Sequence, residues 1–241
     1  MVNFAFTHFG KDYNIMGKML THSIKQIYPQ CTVVDVSNEG QTSIDNTDFS
    51  ENFNFSKSNF MYDDVKCKKY IQEKYGPTIF LDSDMILLKN IDEFININEY
   101  DFSATIRQKK NMIKKLNYDS HKDRFPKLIN KTLGETMPYN SGVYFSKNIE
   151  TLKYMLGSFK DMEKEYLEWY GNQIALYQMI KSNIFKVKIY EDKIYNYTPS
   201  NINEDFSKKK IFHFKGSKRF LYIPFFKKIF GELVFRKLFR L

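Results

Sequence analysis

Residues 78–88 read TIFLDSDMILL, and the reading of this stretch decides the fold. Thr78, Ile79, Phe80 and Leu81 follow a Gly76-Pro77 stop and predict a buried strand. The strand runs into Asp82-Ser83-Asp84, and Met85 to Leu88 are apolar again. Unpaired carboxylates are costly to bury, and two this close repel each other. A divalent cation resolves both problems. Carboxylate oxygens suit Mg²⁺ or Mn²⁺, with substrate phosphates completing the shell. The competing reading is a strand that ends in two solvated Asp residues; apolar flanks on both sides weigh against it.

Outward from this stretch, strand and helix patterns alternate. Residues 2–7 and 32–36 are short apolar runs rich in β formers, and 13–28 carry apolar positions at helical spacing. Residues 37–59 are polar and rich in Asn, Ser and Asp, which predicts a long surface loop. A helix is expected over 59–75, closed by Gly76-Pro77. Further strands are expected over 102–106, 139–145, 185–190 and 211–214, and helices over 149–164 and 172–182. Residues 109–131 are polar, charged and weakly periodic, an expected acceptor-facing insertion. The alternation predicts an α/β fold with a mostly parallel central sheet flanked by helices. In such sheets ligands bind at the C-terminal ends of strands, where the Asp pair sits.

The chain has 241 residues, enough for one domain with its own core and an appendage. Two cysteines, Cys31 and Cys67, exclude a disulfide scaffold and a Cys-rich zinc module. No stretch is apolar for 18 residues, so none is expected to span a bilayer, and no signal peptide is expected. The net charge of +9 is unevenly placed. Residues 207–241 hold 11 basic residues and one acidic residue, Glu232, whereas residues 1–206 hold 26 basic and 27 acidic. Nucleic-acid binders spread their charge over a groove-facing surface, so no nucleic-acid partner is expected.

Several motifs resemble, in order, those of nucleotide-sugar glycosyltransferases of the GT-A (Rossmann-like) fold, and of the lipopolysaccharide galactosyltransferase and glycogenin group (family 8) in particular. Residues 62–71 (YDDVKCKKYI) resemble the Y-x-R-L-K-x-x-x-Y-I helix of that family, and Asp82-Ser83-Asp84 its D-x-D motif. Asn140-Ser141-Gly142-Val143 resembles its N-[AS]-G-V turn, Gly171-Asn172-Gln173 its G-D-Q motif, and residues 213–219 (HFKGSKR) its H-x-x-G-x-x-K motif. The likeness covers residues 2–220.

The resemblance implies roles. Asp82, Asp84 and His213 would bind Mn²⁺ or Mg²⁺. Thr7 and His8 would border the nucleoside of a nucleoside diphosphate sugar, UDP-linked by family default. Lys66, Ser83, Asn140, Ser141, Gly216, Lys218 and Arg219 would contact its diphosphate or sugar, with Gly216 admitting the diphosphate closely. Gln173 would lie beneath the anomeric carbon, with Asn172 beside it. Asn172 stands where the family has Asp, and Arg219 where it has Lys. An amide cannot be a general base, which favours transfer of the hexosyl unit with retention. The acceptor would be a hydroxyl of a glycan or lipid-linked molecule. The pair Trp169-Tyr170 could line its site or belong to the core.

Residues 1–220 are thus expected to form the GT-A domain, and residues 221–241 (LYIPFFKKIFGELVFRKLFRL) a basic aromatic tail. Phe226, Ile229, Phe230, Leu233 and Val234 recur at helical spacing among basic residues. This predicts a basic amphipathic C-terminal helix, either packed on the domain or lying on an anionic membrane. The expected location is cytoplasmic, peripheral on the inner face of the membrane. Two other classes compete. A nucleotidyl or phosphoryl enzyme would use the same Asp pair; phosphatases of the haloacid dehalogenase type place theirs near the N-terminus, with Thr or Val where Ile86 stands here. A non-enzymatic binding module would bind membrane or nucleic acid through the tail, with a merely structural Asp pair.

Overall fold

The computed structural model describes residues 2–9, 11–38, 43–96, 98–115, 125, 128 and 131–240. Among them the strands are β1 (Asn3–His8), β2 (Thr32–Asn38), β3 (Phe49–Phe53), β4 (Thr78–Asp82), β5 (Met85–Leu87), β6 (Phe102–Ile106), β7 (Tyr139–Ser146), β8 (Val187–Glu191) and β9 (Ile211–His213). The longer helices are α1 (Lys11–Ile27), α2 (Phe60–Tyr75), α3 (Ile149–Ser158), α4 (Gly171–Lys181), α5 (Tyr222–Phe230) and α6 (Glu232–Phe239).

Seven strands form one sheet in the order β3-β2-β1-β4-β7-β6-β8. All neighbours pair parallel except β7, which runs against both β4 and β6. The sheet is therefore mostly parallel, as expected. Alternate side chains divide between its two faces. Phe4, Phe6, Ile79, Leu81, Val143 and Phe145 face α1 through Leu20 and Ile24. Ala5, Phe80 and Tyr144 face the opposite layer, where α2 contributes Val65, Cys67 and Ile71, α3 Leu152 and Met155, and α4 Ala175, Leu176 and Met179. Burial on both faces explains why the strands read as unbroken apolar runs.

Two expectations, the 37–59 loop and the single C-terminal helix, need correction. The loop expected over 37–59 contains β3, which pairs parallel with β2 at the edge of the sheet. Its sequence FSENF is half exposed, so its polar residues concealed a strand. The residues after the Asp pair form β5, which leaves the main sheet and pairs antiparallel with β9. The tail is two helices, not one, broken at Gly231 with φ +92°, a conformation that favours glycine. Tyr222, Phe225, Phe226 and Phe235 of the tail are buried against Met19, Ile86, Phe212 and Phe214. No helix among the described residues is long and apolar enough to cross a membrane.

Candidate active site

Strand β4 delivers Asp82 at its C-terminal end, beside Thr7 of β1. Ser83 and Asp84 turn the chain into β5, and both are buried. The short β5–β9 ladder sets Met85 opposite His213, and the Phe214 amide donates to the Asp84 carbonyl at 2.9 Å. This ladder brings a histidine distant in sequence onto the Asp pair. His213 Nε2 lies 3.3 Å from Asp82 Oδ2 and 3.0 Å from Asp84 Oδ1. The ligand atoms of all three residues lie within 4.8 Å of one another.

Asn196 determines what His213 presents. Its Oδ1 is 2.7 Å from His213 Nδ1, and its own amide donates to Thr105 Oγ1 at 3.3 Å. Nδ1 therefore donates to Asn196, which leaves Nε2 facing the two carboxylates. Two carboxylates this close need positive charge beside them, which an imidazolium proton on Nε2 or a bound cation supplies. A second-sphere acceptor that holds the far ring nitrogen is the usual support for a metal-bound histidine. The residues fit a divalent cation.

The two carboxyls are driven apart. The Asp82 side chain is 46% exposed. Desolvation there and the Asp84 charge raise its carboxyl above the ordinary value, against the pull of His213. Burial would raise Asp84 too, but His213 and Arg219 outweigh it and hold that carboxyl below its usual range. Arg219 Nε pairs with Asp84 Oδ2 at 2.8 Å.

Gly142 lies against the Asp–His cluster. A Cβ there would come within 2.6 Å of Asp82 Oδ2 and 2.7 Å of His213 Cε1. The glycine leaves room for the Asp–His cluster itself. Asn140 Oδ1 accepts from the Gly142 amide at 2.9 Å and shapes the turn; Ser141 is half-buried beside it. Gly216 has φ +55°, so the chain after His213 turns through a conformation that favours glycine. Lys218 reaches the Ser200 carbonyl at 3.2 Å.

Other expected residues are placed differently. His8 is buried and meets Asp35 at 3.2 Å, inside the sheet rather than at an open nucleoside surface. Lys66 is exposed on α2. Lys68, about 200° around the helix from it, is buried and paired with Asp64 at 2.8 Å. Burial would lower the Lys68 ammonium, but Asp64, Tyr144 and Asp82 outweigh it and hold it above its ordinary value. Asn172 donates to the same Asp64 oxygen at 3.0 Å. The amide at position 172 thus meets a carboxylate that a second carboxylate would repel.

Gln173 accepts from Arg107 Nη2, while Arg107 Nε donates to the Met137 carbonyl at 2.9 Å. Trp169 is exposed ahead of Gly171, and Tyr170 between them has φ +69°. Lys215, two residues past His213, is half-buried; burial and the Arg107 charge push its ammonium down to about 8. Most of the insertion expected to face the acceptor lies outside the described residues; of it, Phe125 and Leu128 pack with Met137 and Tyr166.

Sequence reasoning missed Asp64, Lys68, Arg107 and Asn196. A signal existed for Lys68. Asp64, Lys68, Ile71 and Gln72 recur at helical spacing and share the buried face of α2.

No protein-family model and no curated protein matches the sequence. Solved structures do. A glycosyltransferase involved in the glycosylation of the major capsid of PBCV-1 aligns with a TM-score of 0.58 at 13% identity, over 95% of this chain and 99% of that one. The bifunctional glycosyltransferase WbbM aligns with a TM-score of 0.58 at 14% identity, over 98% of this chain; the chain spans 51% of WbbM. The galactosyltransferase LgtC, solved with donor and acceptor sugar analogues, aligns with a TM-score of 0.57 at 11% identity, over 99% of this chain and 95% of that one. At these identities the likeness is one of fold, and the fold is that of GT-A glycosyltransferases.

Proposed function

We propose that the chain is a metal-dependent glycosyltransferase. It moves a hexosyl unit from a nucleoside diphosphate sugar, UDP-linked, to a hydroxyl of a glycan or lipid-linked acceptor. The observation that carries this reading is the Asp82–Asp84–His213 cluster with its tautomer held by Asn196. Asp82, Asp84 and His213 would hold Mn²⁺ or Mg²⁺, and the chemistry it would supply there is neutralisation of charge on a departing diphosphate. Arg219 and Lys218 add positive charge on the same side, and Arg219 can address a phosphate bidentately. Thr7 lies beside Asp82 and is the strand-end residue to border the nucleoside.

Gln173, oriented by Arg107, lies beneath the transferred sugar as a polar stabiliser. Retention follows from the chemistry at position 172. Asn172 offers an amide, and its neighbour Asp64 is already engaged by Lys68 and by Asn172 itself. The departing phosphate then takes the acceptor proton. The tail supports a site on the cytoplasmic face of a membrane, where exposed Phe220 and Leu233 stand among basic residues.

The test is donor hydrolysis by the purified chain, with UDP-, GDP- and CMP-sugars, with and without Mn²⁺, against Asp84→Ala. Metal-dependent release of nucleoside diphosphate from one donor, lost in the variant, is expected. No release and no metal-dependent binding of any nucleoside diphosphate would overturn the reading. Release of pyrophosphate or inorganic phosphate would move the chain to the nucleotidyl or phosphoryl class.

A further inference from the structure

The pair Trp169-Tyr170 divides between core and surface. Tyr170 packs with Phe125, Leu128, Met137 and Tyr166, its ring centroid 5.4 Å from that of Phe125. Trp169, the one tryptophan of the chain, joins no apolar cluster among the described residues and is 47% exposed. Among the described residues its ring meets that of Tyr170 alone, at 6.0 Å between centroids and 73° between planes.

The backbone holds Trp169 outward under strain. Its amide donates to the Glu165 carbonyl at 3.3 Å and closes the short helix Lys164–Glu168. Helix α4 begins two residues later, and its Gly171 lies against the Tyr166 carbonyl and Phe159; a Cβ there would come within 2.7 Å of Phe159 Cε1. Between helices packed this closely Tyr170 takes φ +69°, a conformation that bulky residues rarely adopt. Strain of this kind collects at binding and catalytic sites. The same reversal starts the turn that carries Asn172 and Gln173, because the Tyr170 carbonyl accepts from the Gln173 and Ile174 amides at 3.0 and 3.1 Å. Four peptide units join Trp169 to Gln173 and span at most about 14 Å, within the length of a short oligosaccharide. A pyranose ring turns C–H groups towards the electron-rich face of an indole, which is large and loses little freedom on binding. Glu163, Glu165 and Glu168 precede Trp169 in the sequence, and their charge disfavours an anionic membrane as its partner.

We propose that Trp169 is a stacking platform of the acceptor site, which holds a pyranose ring of the acceptor near the sugar that is glycosylated. The acceptor class is thus an oligosaccharide, free or lipid-linked, rather than a single sugar. This inference rests on the glycosyl-transfer reading above, because it takes Gln173 to lie beneath the transferred sugar.

The test reads tryptophan fluorescence of the full chain, excited where tyrosine does not absorb, so that the signal comes from Trp169 alone. The protein, with and without Mn²⁺ and UDP, is titrated with lactose, maltose, cellobiose and chitobiose, with their monosaccharides, and with phosphatidylserine vesicles. At least one disaccharide is expected to shift the emission to the blue and to shield the ring from acrylamide, its monosaccharides less so. In calorimetry with that disaccharide, Trp169→Ala is expected to weaken binding roughly tenfold and Trp169→Phe to keep part of the affinity. Both variants change an exposed side chain, so an unchanged melting temperature is expected to separate lost stacking from misfolding. No response to any disaccharide while Mn²⁺ and UDP bind, or an affinity that survives Trp169→Ala, overturns this inference and leaves the donor reading standing. A blue shift with vesicles and none with sugars assigns the ring to a membrane and also overturns it. Disaccharide binding at Trp169 in a chain that binds neither Mn²⁺ nor UDP overturns the donor reading and, with it, the acceptor role.

Discussion

The imidazole of His213 has one useful orientation and one useful tautomer, and Asn196 supplies both. Asn196→Ala removes the acceptor for Nδ1 while sparing all three ligand atoms. Mn²⁺ affinity is expected to fall roughly 10–100-fold, the usual effect of losing such a partner, measured by titration of the metal into the purified chain. An unchanged affinity would show that the ring is held by packing alone. Gly142→Ala puts a methyl group against Asp82 and His213 at the same cluster. It is expected to impair metal-dependent UDP binding with little change in the melting temperature, since Gly142 shows no positive φ. The two lysines of α2 are expected to separate. Lys68→Ala strands the buried Asp64 carboxylate and should cost about 3–5 kcal/mol in denaturant unfolding, whereas Lys66→Ala, at an exposed position, should leave stability within about 0.5 kcal/mol.

The two-stranded β5–β9 sheet is the element on which the site depends. It is three residues long on each side, too short to be stable alone. Its apolar residues Ile86 and Phe212, and Phe214 just past β9, are covered by α5 and α6. Tyr222 at the start of α5 donates its hydroxyl to the Met85 carbonyl at 2.6 Å, tying the tail to the strand that follows the Asp pair. The tail is therefore structural whatever else it does. Phe225→Ala, at a fully buried position, should destabilise by about 3–5 kcal/mol. The same variant should loosen His213 and so weaken Mn²⁺ binding more than an equally costly substitution in α3. Equal effects on metal binding from the two helices would refute that coupling.

At the scale of the whole molecule, charge is the dominant asymmetry: a nearly neutral body carries a strongly basic C-terminal segment. Phe225 and Phe226 are buried in the tail, so a membrane would meet the exposed remainder, Phe220, Ile223 and Leu233 among Lys227, Lys228, Arg236, Lys237 and Arg240. Each basic residue near an anionic surface contributes about 1 kcal/mol, and salt screens that attraction. Cosedimentation with phosphatidylserine vesicles should therefore fall steeply as salt rises and weaken further in the double variant Phe220→Ser, Leu233→Ser. Equal binding to uncharged vesicles, or none, would remove the membrane from the proposal.

The sequence by itself determined the layered α/β architecture, because strands buried on both faces must be unbroken apolar runs and helices between layers must carry periodic ones. It also pointed to Asp82 and Asp84, because their placement at a strand end is local. The order of strands and the detachment of β5 were decided only in the tertiary structure. So were the pairing of His213 with Asn196 and the turn of Lys68 inward and Lys66 outward. Each of these joins residues far apart in the chain or depends on which helix face the core covers, and local spacing carries no record of what packs against it.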